Sequence, residues 1–135
     1  MKGIVNSNKL PKPLAIERNL NSVPKYRKAL LNLPETEAEI MNMRETYAEI
    51  IVEIDKQIGR IIDLLKNKNI YDNTTFIFSA DHGDLLGDHG LTAKGPFPYK
   101  GQLDIPLIVS NHPEINSEIR SDNLVGNIDI PGTVL

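Results

Sequence analysis

Phe76-Ile77-Phe78-Ser79-Ala80-Asp81-His82-Gly83-Asp84 is the stretch on which the fold turns. A short run rich in aromatic and β-branched residues stops abruptly, and acid, imidazole and glycine follow without a spacer. Such a run reads as a buried strand. In open α/β sheets, ligands bind just beyond the carboxyl ends of the strands. Asp81 and His82 then stand where an oxygen and a nitrogen donor could face a cation or an anionic substrate. The same residues would serve equally well as an acid-capped turn carrying an ordinary loop histidine.

Upstream lies the most regular pattern in the chain. Pro34 precedes Glu35, Thr36, Glu37 and Glu39. Proline followed by acids suits a helix start, where exposed N–H groups favour negative charge. Apolar residues recur at Ile40, Met43, Tyr47, Ile50, Ile51, Ile54, Ile58, Ile61, Ile62 and Leu65. Steps of three and four predict one helical stripe. The other face carries Glu45, Glu49, Glu53, Lys56, Arg60 and Asp63, and Lys66 and Lys68 close the last turn. The pattern predicts a helix of about 30 residues, ~45 Å long, that packs on a sheet or another helix. Tyr71-Asp72-Asn73 turns into the strand over 74–80, and helix, turn and buried strand are the repeating unit of an α/β sheet.

Downstream, residues 83–101 show no periodicity and hold five glycines and two prolines. They are dense in chemistry, with Asp84, Asp88, His89, Lys94, Tyr99 and Lys100. Long irregular loops inside compact domains are usually functional. Ile105-Pro106-Leu107-Ile108-Val109-Ser110 reads as a second buried strand, with proline confined to its start. Residues 111–123 are polar and loop-like. A last helix is expected after Asn127 or Asp129, with Pro131 in its first turn. Residues 1–33 form a basic, proline-containing connector, in which seven lysines and arginines face the single acid Glu17.

Composition bounds the rest. The chain of 135 residues is long enough for one domain, and its net charge of −3 gives no basis for polyanion affinity. It has no cysteine, which excludes disulfides, thiolate metal sites and a thiol nucleophile. It has no tryptophan and few aromatics, so no nucleic-acid partner is expected. No apolar run reaches the ~20 residues of a membrane span, so no membrane partner is expected. The first residues lack the apolar core of a signal peptide, and the compartment is unread.

The run Asp72-Asn73-Thr74-Thr75 through Ser79-Ala80-Asp81-His82-Gly83-Asp84 is followed by Gly87-Asp88-His89-Gly90-Leu91. Lys94-Gly95-Pro96-Phe97 and Ile105-Pro106-Leu107-Ile108-Val109 come next. In that order these motifs resemble the sulfatase family of the alkaline phosphatase superfamily. Tyr47-Ala48-Glu49-Ile50-Ile51, Ile54-Asp55 and Ile58-Gly59-Arg60 look like its long helix, and Asn127 to Thr133 like its next helix start. The resemblance implies a partial sulfatase-type α/β sandwich over 34–135, with the long amphipathic helix packed on a small, mostly parallel sheet. It implies that Asp81 and His82 are the family's metal-ligand pair for a divalent cation, calcium first, with magnesium or manganese tolerated. It implies that Lys94 touches the substrate's sulfate oxygens and that His89 helps to hold substrate. Lys94 could instead pair with Asp88, and His89 could simply order the loop. The implied substrate is a sulfated small molecule or glycan.

The departures are as informative. The family's nucleophile, a formylglycine made from cysteine or serine in Cys/Ser-x-Pro-x-Arg, has no counterpart. Ser22-Val23-Pro24-Lys25-Tyr26-Arg27 places its arginine one residue late. The family's opening aspartates and its mid-domain lysine and histidine are also missing. Lys100 stands where the family often has an acid. The chain is therefore expected to be an internal piece, truncated at both ends, with the rest of the sulfatase domain missing, and inactive alone. Two other readings remain: a phosphate or phosphonate ester hydrolase piece on the same scaffold, and a non-catalytic gene product or binding module.

Overall fold

The computed structural model describes residues 10–13, 36–96, 98–115 and 117–134. The Ser22–Arg27 string and most of the expected basic connector lie outside them. The long helix, α1, spans Glu37–Asn67. Its start is fixed by Thr36 rather than by Pro34. The Thr36 hydroxyl accepts from the Glu39 N–H at 3.2 Å, and the Glu39 carboxylate accepts from the Thr36 N–H at 3.0 Å. This reciprocal box satisfies two of the N–H groups that a helix start leaves open. At the other end, Asn69 takes a left-handed turn (φ 56°) and its N–H donates to the Lys66 carbonyl.

A 3-10 turn at Tyr71–Asn73 leads into strand β1, Phe76–Ser79. A second 3-10 turn, Asp88–Gly90, and the one-turn helix α2, Lys100–Leu103, interrupt the long connection to β2, Leu107–Ser110. Helix α3 spans Asp129–Val134, with Pro131 in its first turn as expected. Among the described residues no helix is long and apolar enough to cross a membrane.

The expectation of a mostly parallel sheet fails. β1 and β2 form a two-stranded antiparallel sheet, with Phe76 opposite Ser110 and Ser79 opposite Leu107. The reason lies in the connection. A parallel neighbour needs a crossover that carries the chain back to the starting end, usually a helix of several turns. Among the described residues of 80–106 there are one 3-10 turn and one α-helical turn, and no helix of several turns. This connection folds up at the end of β1, and the chain re-enters the sheet from there in the opposite direction.

α1 lies beside this sheet. Ile58, Ile61 and Ile62 line one wall of an apolar groove of about 370 Å³, and Phe76, Ile77, Phe78 and Ile108 line the other. The helix exit is pinned to the sheet by Asn111, whose amide donates to the carbonyls of Tyr71 and Thr74, both at 2.7 Å. Little of the helical stripe is covered: among the described residues of α1 only Ile40 is buried, while Ile50, Ile51, Ile54 and Ile61 are exposed. The buried apolar side chains of the loop are Leu85 and Leu91, with Tyr99 packed against them.

Candidate functional site

The site is built from the end of β1 outward. The strand's last residue, Ser79, donates its hydroxyl to the Asn127 side-chain oxygen at 2.9 Å, and the Asn127 amide donates to the Ala80 carbonyl at 2.8 Å. The approach to α3 is thereby fastened where the strand ends.

Asp81 and His82 follow. One Asp81 oxygen accepts from the His82 backbone N–H at 3.0 Å. The other stands 3.3 Å from His82 Nε2. His82 Nδ1 lies 2.8 Å from the Gly83 carbonyl. A carbonyl only accepts, so Nδ1 carries the proton. In the neutral ring Nε2 then presents a lone pair towards a carboxylate oxygen. Two acceptors that face each other call for a positive group between them, either a proton or a cation. The Asp81 side chain is 84% exposed and that of His82 34%, so the pair opens to solvent. Among the described residues no cluster of three or more histidines and acids gathers, so this pair supplies two donors to any cation.

Gly83 is required by space. A Cβ there would overlap the Gly101 carbonyl, and its N–H donates to the Gln102 carbonyl at 2.8 Å. Asp84 turns inward, with one oxygen accepting from the N–H groups of Leu86 and Ala93 at 2.9 and 3.0 Å. Leu85 N–H to Ala93 and Gly87 N–H to Leu91 complete a tight loop. Its path needs left-handed backbone at Leu86, Gly87, His89, Gly90 and Ala93. For the non-glycine residues among these, that conformation persists only where the surroundings enforce it.

Much of the enforcement comes from Arg44 on α1. Its guanidinium donates from Nε to the Leu86 carbonyl at 2.8 Å and pairs with Asp88, and it also reaches the Pro11 carbonyl. The Arg44 and Asp88 side chains are only 11% and 15% exposed. His89 lies flat on Tyr99, ring centroids 3.9 Å apart and planes 19° from parallel. Lys94 is exposed, and the next residue is gripped by the Gln102 amide. Gly95 N–H donates to Gln102 Oε1 at 2.8 Å, and Gln102 Nε2 donates to the Gly95 carbonyl at 2.7 Å. Lys100 pairs with Asp104 at the surface, where such a pair contributes little.

The turn 99–103 is thus a hub. Tyr99 receives His89, while Gln102 holds both the segment after His82 and the segment after Lys94. The expected residues Asp81, His82, His89 and Lys94 all lie on this loop; Asp84 and Tyr99 were marked by the sequence as polar loop residues with no stated role, while Arg44 and Gln102, which help to hold the loop, were not marked. Arg44 left a trace, as the one basic residue in the acidic first half of α1. Gln102 left none.

Comparison with known proteins gives the family. A 42% identical stretch of 59 residues is shared with an arylsulfatase of Clostridium perfringens, covering 44% of this chain and 12% of that protein. A choline-sulfatase of Rhizobium meliloti is 37% identical over 57 residues, 42% of this chain and 11% of that protein. Among solved structures, the phosphonate monoester hydrolase of Agrobacterium radiobacter superposes with a TM-score of 0.53 at 38% identity, over 55% of this chain and 14% of that one. The chain thus matches only a small part of the length of each of these relatives. The model of the Sulfatase family matches residues 9–135. With nearly the whole chain matched, on a fold shared with a solved ester hydrolase, this protein belongs to the sulfatase family.

Proposed function

We propose that the chain forms part of a sulfuric ester hydrolase and carries one wall of its active site. The observation that supports this reading is the Asp81–His82 pair, whose carboxylate oxygen and bare imidazole nitrogen face each other at the end of β1. The fit to a divalent cation is good. A carboxylate oxygen and an imidazole nitrogen 3.3 Å apart at the surface would both serve as donors to such an ion. The Gly83 carbonyl, by accepting a hydrogen bond from the Nδ1–H, does what a supporting group does for a metal-bound histidine. Calcium is the first choice, with magnesium and manganese as alternatives. When bound, the cation would supply positive charge that polarises the ester's oxygens.

The chain's own residues do the rest. Lys94, on the solvent side of the clamped Gly95 peptide, directs its ammonium to the sulfate oxygens and stabilises the charge that develops on them. His89, immobilised on Tyr99, presents its ring edge to bound substrate. The Arg44–Asp88 pair holds the turn at residues 86–88 against α1. The sequence has no cysteine and no Ser-x-Pro-x-Arg string, so the attacking group must be supplied by another polypeptide segment. Residues 34–135 form the structural unit and 1–33 a basic connector to it. Sulfated small molecules or glycans are the proposed substrates.

A second reading, a phosphonate or phosphate monoester hydrolase piece, is favoured by the superposition on the phosphonate monoester hydrolase. The test uses the purified 135-residue chain with an aryl sulfate and an aryl phosphonate monoester. No turnover of either is expected, and weak manganese binding is expected that both Asp81→Ala and His82→Ala remove. Turnover lost in Lys94→Ala would overturn the view that the chain is inactive alone. Manganese binding unaffected by both metal-pair variants would overturn the assignment of the pair.

A further inference from the structure

Gln102 touches both arms of the site by different parts of itself. Its backbone carbonyl accepts from the Gly83 N–H at 2.8 Å. Gly83 in turn accepts from His82 Nδ1, so a chain of two hydrogen bonds runs from Gln102 to the imidazole. Its side-chain amide closes a two-bond ring with the Gly95 backbone, at 2.8 and 2.7 Å. That ring fixes the peptide next to Lys94, whose Cα is one step of about 3.8 Å from that of Gly95. The backbone of Gln102 is itself held, because its N–H donates to the Tyr99 carbonyl at 2.9 Å within the turn that also carries the ring stacked on His89.

We infer that Gln102 is a positioning residue: it sets the orientation of the Lys94 arm relative to the Asp81–His82 arm. The inference rests on the proposed function in that it takes these arms as the anion-facing and cation-facing sides of one site. The chemistry requires an amide. A peptide presents one donor and one acceptor, and only a group with both can answer it. Glutamate at this position would accept from the Gly95 N–H but would turn a carboxylate oxygen towards the Gly95 carbonyl. Alanine would leave both Gly95 groups to water. The Gly83 bond uses the backbone of residue 102 and survives either change.

The asymmetry gives the test. Residual dipolar couplings of the isotope-labelled 135-residue chain report the orientation of each arm with no ligand present. In Gln102→Ala the couplings of Lys94 and Gly95 are expected to collapse towards zero, while Ala93, held by Asp84 and Leu85, keeps its wild-type values. Those of His82, Gly83 and Asp84, and the helical dichroism, should stay at wild-type values. Gln102→Glu is expected to show a smaller shift confined to Lys94 and Gly95, and it serves if the alanine variant does not fold. Unchanged couplings at Lys94 and Gly95 in either variant would overturn the inference. So would an equal loss in both arms, which would make Gln102 a general folding determinant. Manganese added to the wild-type chain is a separate arm: failure to broaden His82 and Gly83 would sink the cation reading and leave the Gln102 result standing.

Discussion

Helix α1 and the loop from Asp81 to Asp104 invert the usual relation between regularity and burial. The helix has the strongest pattern in the sequence, yet Ile54 in the middle of its stripe is 47% exposed. The loop has no periodicity, yet Leu85 within it is 1% exposed. Periodicity reports which residues share a face, which is a property of the local backbone. Burial depends on whether another surface covers that face. In the loop, Asp84, Arg44 and Gln102 satisfy the backbone polar groups that an irregular path leaves open, and this allows Leu85 and Leu91 to turn inward.

The comparison can be broken at its extremes. Leu85→Ala is expected to cost about 3–4 kcal/mol in urea unfolding, because a filled interior position becomes a cavity. The matched Ile54→Ala should cost under about 1 kcal/mol, since half of that side chain is already in water. Equal costs would mean that the helix, not the loop, carries the stability. Next comes Arg44→Met, expected to cost about 3 kcal/mol because a nearly buried Asp88 carboxylate loses its guanidinium. Adding Asp88→Asn should restore part of the loss, which a double-mutant cycle would measure. Gly83→Ala should cost about 2 kcal/mol, since its Cβ meets backbone that cannot swing aside. Hydrogen exchange should show that loss at Gly83 and Leu85 before it shows at α1.

On the helix side the expected effects are smaller. Thr36→Ala should cost about 1 kcal/mol by removing one half of the capping box, with fraying at residues 37–40 read from amide exchange. The smallest effect is the acid response of Glu53. The hydrogen bond from Gln57 holds its carboxyl below the ordinary value of 4.5; slight desolvation opposes this, and the charges of Lys56 and Arg60 assist it. A depressed value in the folded chain gives a contribution that is present above 4.5 and fades as pH falls through the folded value. Helical dichroism should dip slightly on acidification, and less so in Glu53→Gln. An equal dip in that variant would refute the assignment.

Much of the architecture was legible. The helix was expected over about 30 residues and spans 31; both strands fall within the apolar runs that marked them, and the last helix starts where its proline indicated. The sheet's direction was misread. Helix, turn and strand suggested a repeating parallel unit, but strand direction is set by the path of the connection, and residues 80–106 have no pattern from which to read a path. The candidate site residues differ in how far the sequence marks them, for the same reason. Asp81 and His82 stand out because they are adjacent to a strand end, and Lys94 because of the ordered motifs around it. Gln102 lies on a one-turn helix and Tyr99 just before it, and their importance comes only from what lies against them.

By itself, then, the sequence determined the elements that depend on neighbours within a few turns: the capped helix, the two short apolar strands, and the acid–imidazole pair at a strand end. It also determined the order of motifs that places the chain among the sulfatases. Only the tertiary structure decided that the strands run antiparallel, that Arg44 reaches Asp88 across 44 positions of chain, and that one glutamine holds both arms of the site. Hydrogen bonds and ion pairs act over a few ångströms in space whatever the separation in sequence. A residue whose partner is distant in the chain therefore carries no local mark of its role.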